Sequence, residues 1–386
     1  MITNFSLAVA KRILLEKLGE GVNAICSPFS ISAILNSVVA GAEGATLKQL
    51  LGVLEYKSLN DITKTVSLQS MSSKGGGPTI YFTNGVWVSK LFPLKPSYRD
   101  FIKTVENTKV EEVDFQNEAV EEKINLWAKK ATKGLIKNLF SSGTIPKDTI
   151  SIISNALYFK GDWENPFDAS ETRNEDFQLL SGQIAQAPFM NQIDDYYDFG
   201  SFEGYKVLKM CYKNGTDANS LATAINGQQE RCFSMYVFLP DEKDGLPNLI
   251  ENIKFQNLFN EQMKLDTVRI SPLSIPRFEF SCECELSNIM KMLGLTLPFE
   301  HNNELTGMVY GSNFEVTSML QKSYIETNEE GTEAASAIGM ICSASPYKPP
   351  PVEFVADHPF MFIIKEEFTG CILFMGTIIN PPPSTN

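Results

Sequence analysis

At 386 residues, with 43% hydrophobic and 20% charged side chains, the chain has an ordinary globular composition and the length to bury a substantial core. Its 46 acidic against 33 basic residues give a net charge of −13, which repels nucleic acid and anionic membrane and removes both from the expected partners. Seven cysteines, odd in number and widely scattered, do not make a disulfide framework and read as free thiols.

No Gly/Ser-rich or Pro-rich linker divides the chain, so a single domain over 1–386 is expected. Met1 to Arg12 carry no basic leader ahead of an apolar run, and no stretch reaches the about 18 apolar residues of a membrane span. A cytoplasmic protein follows as the expectation. Residues 5–19 have apolar positions at helical spacing and stop at Gly19. Ser27 is suited to cap, and Pro28 to open, a second helix carrying Ile34, Leu35, Val38 and Val39. Thr46 then stands where a cap is expected for a helix with Leu47, Leu50, Leu51 and Leu54 on one face.

Lys74-Gly75-Gly76-Gly77-Pro78 lacks the Gly-Lys-Ser/Thr of a phosphate loop and leads into the strand-like Ile80-Tyr81-Phe82, so it reads as a surface loop. Residues 120–139 read as an amphipathic helix with Ile124, Trp127, Ala131 and Leu135 inward and a solvated face of lysines. Strands are predicted over Ser151 to Lys160 and Phe233 to Pro240, and Gly245-Leu246-Pro247 opens a further helix. Cys282-Glu283-Cys284 puts two thiols on one strand face without the further Cys or His that zinc requires, so they read as small core residues, and no metal or cofactor is expected.

The stretch Glu329-Glu330-Gly331-Thr332-Glu333-Ala334-Ala335-Ser336-Ala337, continuing to Pro346, is unusual for a loop. Loops are normally punctuated by Pro, Asn and Asp, whereas this one has small side chains and can become a strand over its whole length. Side chains would then alternate: Thr332, Ala334, Ser336, Ile338 and Met340 on one face, Glu333, Ala335, Ala337, Gly339 and Ile341 on the other. From Gly331 to Ser345 such a strand reaches on the order of 45 Å, against a radius of gyration of about 21 Å for a globule of this length.

These residues resemble the hinge of the serpin reactive-centre loop, and Ala356-Asp357-His358-Pro359-Phe360 with Leu373-Phe374-Met375-Gly376 resembles that family's C-terminal signature. Ordered motifs continue the resemblance from about residue 5 to Pro381, and it is strongest toward the plant serpins. It implies an α+β serpin fold with three β-sheets, eight or nine helices and a reactive-centre loop over 331–355. It further implies that Ser27, Ser30, Asn155 and Gln321 lie where the large sheet opens, and that Trp163 and Arg277 stand at the base of the loop, Arg277 facing Glu329.

The implied activity is inhibition of a serine protease, with papain-like cysteine proteases as further targets: a suicide substrate that inserts its cut loop into a sheet. The protein would be a monomer and not an enzyme. Only His301 and His358 exist as histidine bases, and neither Gly-x-Ser-x-Gly nor His-Glu-x-x-His occurs. Three departures stand out. Gln321 occupies the place of the family's usual His, Ile338 stands where Thr is commoner, and the family's spacing puts the scissile bond at Ser345–Pro346. Proline after the bond disfavours most proteases, so cleavage at Ala344–Ser345 or Cys342–Ser343 is the alternative. No Arg or Lys precedes Lys348 in the loop, which points to proteases that prefer small residues. A serpin fold retained for binding or storage is the competing expectation.

Overall fold

The computed structural model describes residues 3–59, 61, 77–106, 108–134, 136–141, 143–214, 231–255, 258, 263–311, 314–330 and 350–381. Among them are seven α-helices and fifteen strands in two hydrogen-bonded sheets. The first helix, α1 (Asn4–Gly19), is closed at its start by a capping box between Thr3 and Ser6. A short strand, β1 (Ala24–Cys26), leads to α2 (Pro28–Val39), whose N-cap is Ser27 and whose residues are all buried. Then follow α3 (Gly44–Val53), β2 (Thr79–Ser89), α4 (Pro96–Glu106), β3 (Lys109–Val113), α5 (Ala119–Ala131) and β4 (Ser151–Lys160).

The middle of the chain is β-rich: β5 (Arg173–Gln178), β6 (Ile184–Gln192), β7 (Asp195–Phe202), β8 (Tyr205–Cys211) and β9 (Phe233–Pro240). After α6 (Leu246–Asn252) come β10 (Asp266–Pro276), β11 (Phe278–Glu285), α7 (Ser287–Met292), β12 (Ser318–Thr327), β13 (Val352–Val355), β14 (Phe360–Glu366) and β15 (Cys371–Ile378).

The smaller sheet has the order β11-β12-β4-β2-β3. The larger runs β1-β15-β14-β9-β8-β7-β10-β6-β5, with β13 added to β10. The expected three sheets resolve as two because β10 belongs to both halves of the larger one. Its first part, Asp266 to Ile270, pairs with β7 and its last, Leu273 to Pro276, with β6. The last four residues of the 331–355 stretch form β13, parallel to β10.

One core lies between the two sheets and beneath α1 and α2, and β9, β14 and β15 are buried along their entire length. A second, smaller core lies on the opposite face of the five-stranded sheet, where α5 presses Ile124 and Ala128 against Trp87, Ile152, Ala156 and Leu320. The central strands of that sheet are thus covered on both faces, the setting in which parallel pairing is normally found.

Two local readings change in three dimensions. The amphipathic helix stops at Ala131 and not near 139, because Lys133 (φ 50°) and Gly134 (φ 92°) turn the chain left-handed. Asn125 Oδ1 then accepts from the backbone N–H groups of Leu139 and Phe140 and ties the returning chain to the helix. Leu135 lies outside the described residues.

Thr46 does not cap α3 either. The cap comes from far along the chain: the Glu304 carboxylate accepts from Ala45 N at 2.9 Å, Thr46 N at 2.6 Å and Thr46 Oγ1 at 2.7 Å. Gly44, at φ +58°, makes the room, since a Cβ there would lie 2.3 Å from Glu304 Oε1. These donors hold the Glu304 carboxyl below the ordinary carboxylate range. A depressed folded value contributes stability above the unfolded value and loses it as pH falls through the folded one. Glu304→Gln should therefore be less stable than the parent at pH 7, and the gap between them should close from about pH 4.5 downward in urea titrations at stepped pH.

Candidate functional site

The five-stranded sheet holds one parallel seam at its centre, where β12 runs alongside β4 from Ser318↔Ile152 to Tyr324↔Tyr158. Every other described strand pair in this sheet is antiparallel except β2 with the edge strand β3. β12 ends at Thr327, so residues 328–330, the last before the 331–349 stretch, stand beside the open end of the seam.

That exit is fixed by hydrogen bonds. Trp163, just past β4, donates from Nε1 to Asn328 O at 3.0 Å and from its backbone N to Glu330 O at 3.2 Å. Phe167 N donates to Glu329 O at 2.8 Å. Trp163 is itself buried and stacked on Tyr212, with centroids 4.5 Å apart and planes 13° apart. Three successive carbonyls before Gly331 are therefore held, and the loop starts from a defined point.

The Glu329 side chain, 9% exposed, accepts from Thr172 Oγ1 at 2.6 Å and lies 3.6 Å from Arg277 Nη1. The structure so brings Arg277 to Glu329, but Arg277 is 48% exposed and the contact is long, which makes Thr172 the closer partner. Nothing in the sequence marks Thr172, 157 positions away.

Below the seam, Asn155 and Gln321 are register partners across it. They make no hydrogen bond with each other. Asn155 Nδ2 turns toward β2 and donates to Thr83 O at 3.1 Å and Asn84 Oδ1 at 2.9 Å. Gln321 instead grips the cap of α2: its Oε1 accepts from Ser27 N at 2.8 Å, and its Nε2 donates to Ser27 O at 3.0 Å. Both bonds use the neutral donor and acceptor that an amide supplies together, so this latch has no titrating group. Ser27 Oγ accepts from Ser30 N, closing the first turn of α2. Among the described residues, the buried Ser30 Oγ, Asn155 Oδ1 and Ser323 Oγ find no hydrogen-bond partner.

The remaining candidates fall into place around this. The hinge residues Gly331, Thr332, Glu333, Ala334, Ala335, Ser336 and Ala337, and the bond candidates Ala344, Ser345 and Pro346, lie outside the described residues. His358 is buried between two acceptors, Asp357 Oδ1 at 2.6 Å and Pro240 O at 2.8 Å, as a structural bridge. This contact and Lys243 hold the Asp357 carboxyl below its usual range. Cys282 and Cys284 are buried with their Sγ atoms 3.6 Å apart, and no metal-binding cluster occurs among the described residues.

The family model "Serpin (serine protease inhibitor)" matches residues 1–381. The chain is a serpin. Its relatives include Serpin-Z1C of Triticum aestivum, 37% identical over 98% of this chain and 95% of the relative, and Serpin-ZXA of Oryza sativa subsp. japonica, 38% identical over 94% and 91%. Arabidopsis AtSerpin1 in its native stressed conformation superposes with a TM-score of 0.85 at 33% identity, covering 97% of both chains. Uncleaved ovalbumin shares the fold with a TM-score of 0.80 at 24% identity, covering 98% of each chain. In this serpin, the clamp around Trp163 sits at the open end of the seam and the Gln321 latch midway along it.

The geometry ranks the contacts. Replacing Gln321 by Leu strands the buried N–H of Ser27, whose C=O keeps the Ile31 N–H, and should cost about 1–3 kcal/mol. Thr172→Val removes a hydrogen bond to a carboxylate and should cost about 1.5–3 kcal/mol, whereas Arg277→Ala should cost no more than about 1 kcal/mol. Urea midpoints of the intact protein give the order.

Proposed function

We propose that this serpin inhibits proteases as a suicide substrate whose cut loop enters the seam between β4 and β12. The observation that carries the reading is the topology. The loop follows β12, so on folding back it runs antiparallel to β12 and, because β4 is parallel to β12, antiparallel to β4 as well. One parallel pairing is exchanged for two antiparallel ones, with the better hydrogen-bond geometry and an extra strand of backbone bonds.

The loop's composition suits the path. Thr332, Ala334 and Ser336 enter first and displace little packing, and Ile338 and Met340 follow. Burying the last two contributes about 1.5–3 kcal/mol each.

Chemically, the protease nucleophile attacks the carbonyl before the scissile bond and forms an acyl-enzyme, and the amine of the C-terminal fragment leaves. Insertion then carries the acyl-enzyme away from the loop base before water completes hydrolysis. The chain itself supplies no catalytic group. Serine proteases that accept a small residue before the bond are the proposed targets, with cytosolic cysteine proteases beside them, and the inhibitor acts as a cytoplasmic monomer.

Pro346 favours a second reading, a serpin that binds or stores without inhibiting, because proline after the counted bond resists cleavage there. One experiment separates the two. Incubation with a panel of serine and cysteine proteases, followed by denaturing electrophoresis, should give a band near the summed mass of the two proteins. Clean cleavage with every protease would sink the inhibitory reading. In the same assay Ala334→Glu, which places a charge among the first inserting residues, should turn the inhibitor into a substrate and raise the stoichiometry of inhibition several-fold.

A further inference from the structure

The two faces of the seam are held differently. On the face toward α2, the Gln321 latch and the Asn155 amide lie midway along it. On the opposite face, beyond the end of α5, three tyrosines form a ladder. Tyr81 stacks on Tyr158 with centroids 5.8 Å apart and planes 18° apart, and Tyr158 stacks on Tyr324 at 5.8 Å and 28°. The ladder is anchored at both ends. Lys133 Nζ stands 4.7 Å from the centre of the Tyr81 ring, and the Tyr324 hydroxyl donates to Glu279 Oε1 at 2.7 Å, with Glu326 Oε2 at 3.3 Å.

The placement of one of these two stacks is special. Tyr81 and Tyr158 lie on β2 and β4, an antiparallel pair on the same side of the seam. Tyr158 and Tyr324 lie on opposite sides, and they form the last rung of the β4/β12 ladder, at the end from which 331–349 departs. A strand inserted between β4 and β12 adds about 4.8 Å of spacing, which carries these ring centroids past the about 7 Å limit of an aromatic contact. The residues that enter first are Thr, Ala, Ser and Glu, none of which restores a stack. Burial pushes the Tyr158 phenol up to about 12, so the ring stays neutral at any physiological pH.

We propose that Tyr158 and Tyr324 form an aromatic clasp across the mouth of the seam, and that breaking it sets how fast the loop enters. The clasp rests on the insertion reading given above and deepens it. Tyr324 acts as a positioning residue: it touches no substrate, but it governs the competition between insertion and hydrolysis of the acyl-enzyme. An aromatic pair of this kind corresponds to about a two- to tenfold change in rate if it is present in the closed sheet and lost when the mouth opens.

The test uses the full-length protein and a synthetic peptide of sequence 331–345 as a strand donor, so that no target protease need be known. Uptake of the peptide is followed by native electrophoresis, and the melting temperature is read for intact and loop-cleaved protein. Tyr324→Leu should take up the peptide about two- to tenfold faster than the parent and widen the melting gap between cleaved and intact forms. Tyr81→Leu, which loses a stack that does not cross the seam, should leave both quantities as in the parent. If Tyr324→Leu does not fold, Tyr158→Leu removes the same contact from the other side and should accelerate uptake equally.

Parental uptake rates in the folded seam variant, or equal acceleration in Tyr81→Leu, overturn the clasp alone. A parent protein that neither takes up peptide nor melts higher after cleavage overturns the insertion reading, and the clasp falls with it.

Discussion

A single parallel pairing in the middle of a buried sheet is the constraint on which the rest of this molecule depends. Parallel strands need long connections, and here more than 150 residues separate β4 from β12, so nothing local in the chain closes the seam. It is held by evenly spaced but slanted backbone bonds, by packing on both faces, and by a few side chains. Residues 328–330, which follow β12, stand at its open end, held there by Trp163 and Phe167.

The contacts that hold the seam are individually modest. A neutral hydrogen bond contributes about 0.5–1.5 kcal/mol net, and the two amide bonds from Gln321 to Ser27 fall in that class. They brace β12 against α2 on one face, while α5 and the tyrosine ladder cover the other. The point of departure is firmer. Three carbonyls are held by Trp163 and Phe167, and Trp163 is locked by Tyr212. A rigid base thus stands beside a seam that is closed by small increments.

Much of this architecture was readable in the chain. Ser27-Pro28 announced α2, and the apolar runs announced β4 and β9, because capping and periodicity are local properties. The serpin motifs carried the family. Where local reasoning failed, either a distant residue or a left-handed turn had intervened. Thr46 has the right chemistry for a cap, but Glu304, 258 positions on, supplies it. The helix from Ala119 loses its last two turns to a left-handed pair at Lys133 and Gly134 that periodicity does not register.

The sequence by itself determined the elements and the family, since these follow from patterns a few residues long and from motifs in fixed order. Tertiary structure alone decided that Gln321 holds Ser27 and leaves Asn155 to β2, that Thr172 is the closer partner of Glu329, and that Tyr158 meets Tyr324 at the open end of the seam. Each of these contacts joins residues more than 70 positions apart. Register across a sheet, and the face a side chain takes, are set only when both strands are in place.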